Sequence, residues 1–79
     1  MIRKFEHNGH EYWVTVEPAI HEVTKETFFI AYVNDKEPGG LLYGLLVRNE
    51  KGEVMTFANE LSALTNANNI KQGYIDRTV

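Results

Sequence analysis

The sequence has no cysteine, only 2 prolines and no long apolar run, and these absences exclude several kinds of structure. Without cysteine, the 79-residue chain can form neither a disulfide nor a thiolate metal cluster. Its longest apolar stretch, residues 39–47, is far shorter than the roughly 20 residues that a membrane-spanning helix needs. We therefore expect a small domain outside the membrane, stabilised by a well-packed core or by a partner subunit.

Basic residues are also scarce. The chain has 8 Lys and Arg and 11 Asp and Glu, which gives a net charge of −3. The basic residues are scattered along the chain, so no patch is expected that could neutralise a row of phosphates, and nucleic acid is an unlikely partner. The first residues, MIRKFEHNG, contain no apolar signal-peptide region. Together with the lack of cysteine, this pattern predicts a cytoplasmic protein.

What the sequence does contain is an ordinary globular composition, with 43% hydrophobic and 24% charged residues. The length predicts one domain, residues 1–79. A domain of this size buries only about 60% of the surface that its unfolded chain exposes, so its stability margin is small.

The dipeptide Asn8-Gly9 predicts a tight β-hairpin between residues 2–7 and 10–17. A two-residue turn fixes the cross-strand pairs, which are His7 with His10, Glu6 with Glu11, Phe5 with Tyr12, Lys4 with Trp13, and Arg3 with Val14. Side chains alternate between the two faces of a strand. The predicted core face carries Phe5, Tyr12, Val14 and Val16. The other face carries Lys4, Glu6, Glu11, Trp13 and Thr15.

Three further strands are predicted. Residues 27–34, TFFIAYVN, and residues 41–48, LLYGLLVR, are apolar on both faces, which is typical of central strands. Gly44 interrupts the second of these and indicates a bulge or a close packing point. Residues 53–57 are predicted to return as a strand after a turn at 49–52. Pro18 predicts the end of the second strand, because it has no N–H for a ladder bond.

The hydrophobic period changes after Asn59, the predicted N-cap of a helix. Its apolar stripe is formed by Ala63, Leu64, Ala67, Ile70 and Tyr74. Gly73 is predicted to lie just beyond the helix, and residues 76–79 are predicted to be a free tail. The predicted fold class is therefore α+β, with an antiparallel sheet of four to five strands, two hairpins around a central strand, and one C-terminal helix packed on one face.

One helix can cover only one face of such a sheet, whereas two strands are apolar on both. Burying one large apolar side chain stabilises a protein by about 1.5–3 kcal/mol, so the uncovered face calls for a second cover. A symmetric partner subunit, a ligand or the segment 18–26 could provide it. We therefore expect a protein-interaction domain that associates through its sheet with itself or with another protein.

Three aromatic residues, Trp13, Tyr32 and Tyr43, are the predicted binding residues. Tryptophan is enriched at interface hot spots. The alternatives for Trp13 are a cation–π contact with Lys4, or a place in the core if the helix packs on its face. Tyrosines and phenylalanines in the strands of a small sheet are usually core residues.

No arrangement of residues predicts catalysis or a cofactor. Glu6 and Glu11 pair at an exposed hairpin tip, and the only serine, Ser62, lies in the first helical turn. No nucleophile can therefore be matched with a base, and we expect a protein that is not an enzyme. His7 and His10 are weak metal candidates, which would need His21 or Glu22 as a third ligand.

The segment FFIAYVNDKEPGG, residues 28–40, resembles the FxAYxPExPG segment of HicB-type antitoxins. The resemblance covers about a dozen residues, and Asn34 stands at the position of a family proline. It implies a short sheet with a helix. It also implies an alternative function, that of a small regulatory or ligand-binding domain.

Overall fold

A computed structural model of the chain describes residues 1–39 and 44–78 and contains a four-stranded antiparallel sheet followed by one helix. In chain order, the elements are β1 (Ile2–His7), β2 (His10–Ile20), β3 (Thr27–Asn34), β4 (Leu45–Leu46) and α1 (Glu60–Thr78). The strands lie in the order β1-β2-β3-β4, and α1 packs on one face. The predicted fold class is confirmed.

The first hairpin forms as the sequence predicts. Asn8 and Gly9 both have positive φ, 50° and 79°, as a two-residue turn of the favoured hairpin type requires. All five predicted cross-strand pairs are present. The turn therefore determines which side chains of β1 and β2 point to each face.

The prediction that β2 ends at Pro18 is wrong, because the strand continues to Ile20. Pro18 lies opposite Phe29, whose N–H and C=O both pair with Phe57 on the far side of β3. The nitrogen of Pro18 therefore points away from β3, toward the side of β2 on which β1 lies. Because β1 begins opposite Thr15, it does not extend as far as Pro18. No ladder bond is lost, and proline is tolerated there.

The chain after β3 is less regular than predicted. Of the predicted strand 41–48, residues 41–43 lie outside the described part, and β4 pairs with the end of β3. The chain then turns at residues 49–52, as predicted, with a bridge between Arg48 and Val54, and Phe57 pairs with Phe29 farther along β3. The segment 53–57 thus contributes single bridges along the β4 edge and is not a fifth strand.

Gly44 is confirmed as a close packing point beside β3. Its φ is +102°, a conformation that side chains other than glycine rarely adopt. A Cβ atom at this position would lie 2.4 Å from the carbonyl oxygen of Val33. Only glycine allows the chain to approach β3 this closely before β4 begins.

The start of α1 matches the prediction. The N–H of Ser62 donates a 2.8 Å hydrogen bond to Oδ1 of Asn59, which is the N-cap interaction. Glu60 lies in the first turn, where a negative charge complements the positive helix end. The helix is not long and apolar enough to cross a membrane, and the structure describes no other helix.

The predicted end of α1 is wrong, because the helix continues through Gly73 to Thr78. Gly73 keeps a helical backbone and does not adopt the positive φ of a helix-ending glycine. Residues 76–78 are not a free tail. Oδ1 of Asp76 lies 2.8 Å from Nε2 of His7 and accepts a 2.8 Å hydrogen bond from the Asn8 side chain. The last helical turn is thereby attached to the hairpin tip.

The core lies between α1 and the predicted core face of the sheet. Its buried members are Tyr12, Val14, Val16, Ala31, Val47, Phe57, Ala63, Leu64, Ala67 and Ile75. The buried stripe of α1 is rotated from the predicted one, since Ile70 and Tyr74 are 40% and 54% exposed whereas Ile75 is buried. Asn68 and Lys71, which are partly buried beside the stripe, interrupt its apolar pattern in the sequence.

Tyr12 is fully buried, and its hydroxyl donates a hydrogen bond to Oδ1 of Asn68 on α1. Burial raises the pKa of Tyr12 above its ordinary value of 10.0, and a hydrogen bond with Gln72 acts in the opposite direction. The phenol is therefore neutral near pH 7 and joins β2 to the helix through a polar contact inside the core.

We expect Tyr12→Phe to lower the free energy of unfolding by about 1 kcal/mol near neutral pH, because Asn68 loses its donor in a partly buried position. The difference should narrow above about pH 10. In the wild type the pKa is higher in the folded state, so stability falls once the unfolded tyrosine ionises, whereas the variant has no proton to lose. Urea denaturation across this pH range, followed by Trp13 fluorescence, measures both effects. An unchanged stability near neutral pH would contradict the role of the hydrogen bond.

Candidate functional site

The side of the sheet opposite α1, which we call the open face, is formed by alternate residues of all four strands. It carries Ile2, Lys4 and Glu6 of β1, Glu11, Trp13, Thr15, Glu17 and Ala19 of β2, Phe28, Ile30, Tyr32 and Asn34 of β3, and Leu46 of β4. None of these residues belongs to the core cluster, and the one described helix packs on the opposite face. Among the described helices and strands, none forms a second layer on the open face.

Apart from Ile2, which is 54% exposed, the larger apolar side chains of the open face are half-buried, although the one described helix packs on the other face. This group consists of Trp13, Phe28, Ile30, Tyr32 and Leu46. Side chains that are neighbours across antiparallel strands shield one another, and this contact contributes to their partial burial. Together they make the described part of the open face largely apolar.

The strand register arranges the open face in rows that run across the sheet. The central row contains Ile2, Thr15, Tyr32 and Leu46. The row on the side of the hairpin turn contains Lys4, Trp13 and Asn34, and the row on the other side contains Glu17 and Ile30. An apolar centre therefore has a cation on one side and a carboxylate on the other.

Thr15 lies in the central row and is only 3% exposed. Its hydroxyl oxygen is buried and has no hydrogen-bond partner among the described residues. An unsatisfied buried hydroxyl lowers the stability of the folded state by about 1–3 kcal/mol, so Thr15 is an unfavourable residue at the centre of the open face. The sequence gives no sign of this burial, because alternation predicts only that Thr15 points away from the core.

Trp13 packs beneath Lys4 on the open face. The Lys4 ammonium lies 5.5 Å from the centroid of the Trp13 ring and 3.4 Å from Oε1 of Glu11. The cation–π alternative is therefore present, and the alternative of Trp13 as a core residue is wrong because α1 packs on the other face. The contact leaves Trp13 half-buried and still available at an interface.

Of the three predicted binding residues, Trp13 and Tyr32 lie on the same face. They are diagonal neighbours, because Tyr32 pairs with Thr15, two residues along β2 from Trp13. Tyr43 lies outside the residues that the structure describes. Trp13 and Tyr32 are therefore adjacent on the open face, and the predicted grouping of both with Tyr43 stays a prediction.

His7 and His10 face each other across the hairpin, as predicted. His7 is engaged with Asp76, and Nδ1 of His21 accepts hydrogen bonds from the N–H groups of Val23 and Thr24 in the turn after β2. Within residues 1–39 and 44–78, no group of three or more His, Asp or Glu residues could hold a metal ion. The two predicted metal candidates are therefore not joined by a third ligand in the described part of the chain.

A second surface feature, which we call the edge groove, lies between α1 and the β4 edge and has a volume of about 280 Å³. Its lining includes Leu45, Val47, Arg48, Ile70, Lys71 and Tyr74. The Lys71 ammonium lies 2.9 Å from Oδ1 of Asp35 and 5.2 Å from the Tyr74 ring centroid. Sequence reasoning missed the groove because its walls are distant in the chain and meet only in the folded protein.

Comparisons with protein-family models, with curated proteins and with solved structures found no match to this chain. The resemblance of residues 28–40 to HicB-type antitoxins therefore receives no support from them. The functional argument depends on the geometry of the open face and of the edge groove.

We expect Thr15→Val to raise the free energy of unfolding by about 1 kcal/mol, because it replaces an unsatisfied buried hydroxyl with a methyl group of similar size. Chemical denaturation measures the change. Thr65→Val, at an exposed position of α1, is the matched control and should have a smaller effect. A loss of stability in Thr15→Val would contradict the orphaned hydroxyl and would indicate a partner for it.

Proposed function

We propose that this chain is a non-enzymatic protein-interaction domain that associates with a second copy of itself through the open face. The observation that carries the proposal is a sheet with a helix on one face only and half-buried aromatic and aliphatic side chains on the other. Two open faces packed together would form a four-layer arrangement with the sheets about 10 Å apart in its middle.

The size of the open face supports a weak to moderate dimer. Four strands about 4.8 Å apart, with about nine residues along the longer ones, give a footprint of roughly 450 Å² per copy. Stable interfaces bury about 800 Å² per partner, so this contact belongs to the small class. We therefore expect a dissociation constant in the micromolar range or weaker.

The free edge of β1 is a less favourable place for association than the open face. Arg3, Lys4 and Glu6 are exposed along this strand. Charged side chains on an edge strand oppose pairing with another chain. The face, which carries the larger apolar side chains, is therefore the surface that we assign to association.

In this function the chain has no catalytic residue and no cofactor, and its expected partners do not include nucleic acid. The net charge of −3 supports this view, because phosphate binding requires an excess of positive charge. The proposed location is the cytoplasm, since a protein without cysteine has no need of an oxidising compartment.

We expect the wild-type protein to form dimers at about 500 µM and Ile30→Lys to remain monomeric at that concentration. Ile30 is half-buried on the open face directly across from Glu17, so the new lysine can pair with that carboxylate while it interrupts the apolar surface. Sedimentation equilibrium over a concentration series measures the association constant.

Leu61→Lys is the matched control, because Leu61 is 71% exposed on α1, away from the open face. It introduces the same charge and should dimerise like the wild type. Thermal unfolding shows whether each variant is folded. A monomeric wild type, or equal dimerisation by Ile30→Lys and the wild type, would refute the proposal.

A second candidate function, the binding of a small amphipathic anion, is favoured by the composition of the edge groove. Apolar side chains such as Ile70 form its walls, and Lys71 and Arg48 outnumber its one carboxylate, Asp35. Such a site matches a ligand with an apolar body and one negative group. This candidate corresponds to a small ligand-binding or regulatory domain, although neither Trp13 nor Tyr32 lines the groove.

For this second candidate, we expect 4-phenylbutyrate to shift the methyl NMR signals of Ile70 and Leu45, and the neutral analogue 4-phenylbutanol to bind more weakly. Lys71→Met should weaken 4-phenylbutyrate binding by about tenfold, because one charge-assisted hydrogen bond is lost. Lys36→Met, at an exposed position after β3, is the control and should leave binding unchanged. Equal affinities for the anion and the alcohol would contradict the role of Lys71.

A further inference from the structure

Glu17 is a half-buried carboxylate within an otherwise apolar part of the open face. It lies in β2 directly across from Ile30, and within the described ranges no residue forms an ion pair with it. If a partner covered this face without supplying a cation, the carboxylate would lose its water and remain unpaired. An unpaired buried charge is strongly unfavourable, so any stable partner must bring a positive group to Glu17.

Among the described strand residues of the open face, Lys4 is the one cation. It lies in the row on the other side of the central row from Glu17, and its ammonium lies above the Trp13 ring. Its contact with Glu11 is long, at 3.4 Å, and both side chains are about half exposed. An ammonium group has three donors, so Lys4 can keep this contact and bind a second carboxylate.

Two copies that meet face to face are related by a two-fold axis that lies in the plane between them. The rows are about 6.8 Å apart along the strands, and neighbouring strands are about 4.8 Å apart. Consider an axis that runs across the strands along the central row. The central row then faces itself, and the row of Lys4 and Trp13 faces the row of Glu17 and Ile30 of the other copy. Trp13 then faces the partner's Glu17, and Lys4, one strand away, can reach that carboxylate.

Three other positions of the axis oppose like charges or leave Glu17 unpaired. An axis through the row of Lys4 brings the two copies of Lys4 together, and one through the row of Glu17 brings the two carboxylates together. An axis along the strands, between β2 and β3, places Glu17 against Ile30 of the other copy. Like charges in contact, or a buried unpaired charge, oppose association.

We propose that the two copies meet about an axis along the row of Ile2, Thr15, Tyr32 and Leu46, with two reciprocal ion pairs between Lys4 of one copy and Glu17 of the other. This arrangement rests on the proposed function, because it specifies how the open faces meet. It brings the apolar centres together, Tyr32 near Tyr32 and Leu46 near Leu46. Glu6 and Glu11 remain at the rim, where solvent screens them.

Charge reversal at the two positions tests the arrangement. Lys4→Glu and Glu17→Lys should each weaken self-association by at least about tenfold, because each homodimer then contains two pairs of like charges. An equimolar mixture of the two variants should form a heterodimer, in which both pairs again join opposite charges. The double variant with both substitutions should recover the wild-type dimer. Sedimentation equilibrium at low ionic strength measures each case.

Lys25→Glu mixed with Glu22→Lys is the matched control, since both residues are exposed in the turn after β2. Each of these two variants, and their mixture, should dimerise with the association constant of the wild type. Recovery in the mixture and in the double variant supports the arrangement. A wild type that dimerises and is sensitive to Ile30→Lys, but shows no recovery in the mixture, overturns the arrangement and leaves the proposed function standing. A monomeric wild type overturns both.

Discussion

The two-residue turn at Asn8-Gly9 determines which face of the sheet each side chain occupies. Because β2 pairs with β1 on one side and with β3 on the other, the cross-strand pairs of β3 continue the two faces that the turn sets in the hairpin. A slip of one residue in this pairing would exchange the two faces of a strand. The core under α1 and the apolar surface on the open face therefore both depend on the positive φ of these two residues.

The two faces of the sheet are stabilised differently. On the helix side, buried apolar side chains and the contact between Tyr12 and Asn68 form one packed layer. On the open face, the larger apolar side chains are mostly half-buried, and the hydroxyl of Thr15 is buried without a partner among the described residues. A domain of this length has a small stability margin, so additional burial of this face by a second copy would have a large effect on it.

The features that the sequence predicted correctly are set by local chemistry. The turn at Asn8-Gly9 and the N-cap at Asn59 each depend on the preferences of one or two residues. The placement of Trp13 opposite Lys4 follows from the turn and from strand alternation. Most of the fold class could therefore be derived without coordinates, and so could the half of the open face that β1 and β2 form.

The features that the sequence predicted wrongly depend on contacts between distant residues. Asn68 is tolerated beside the buried stripe of α1 because Tyr12 donates to it, and Lys71 because it pairs with Asp35. Pro18 is tolerated within β2 because β1 is too short to reach it. The edge groove and the buried hydroxyl of Thr15 likewise arise only when separate segments come together.

The attachment of Asp76 to the hairpin tip connects positions that are 68 and 69 residues apart in the chain. Closing so long a loop costs conformational entropy before the contact stabilises anything, and such contacts slow folding. The hairpin can form early by itself, but its tip becomes fixed only when the last helical turn has formed. We therefore expect the hairpin tip and the last turn of α1 to become ordered together and to lose their order together, in one cooperative transition.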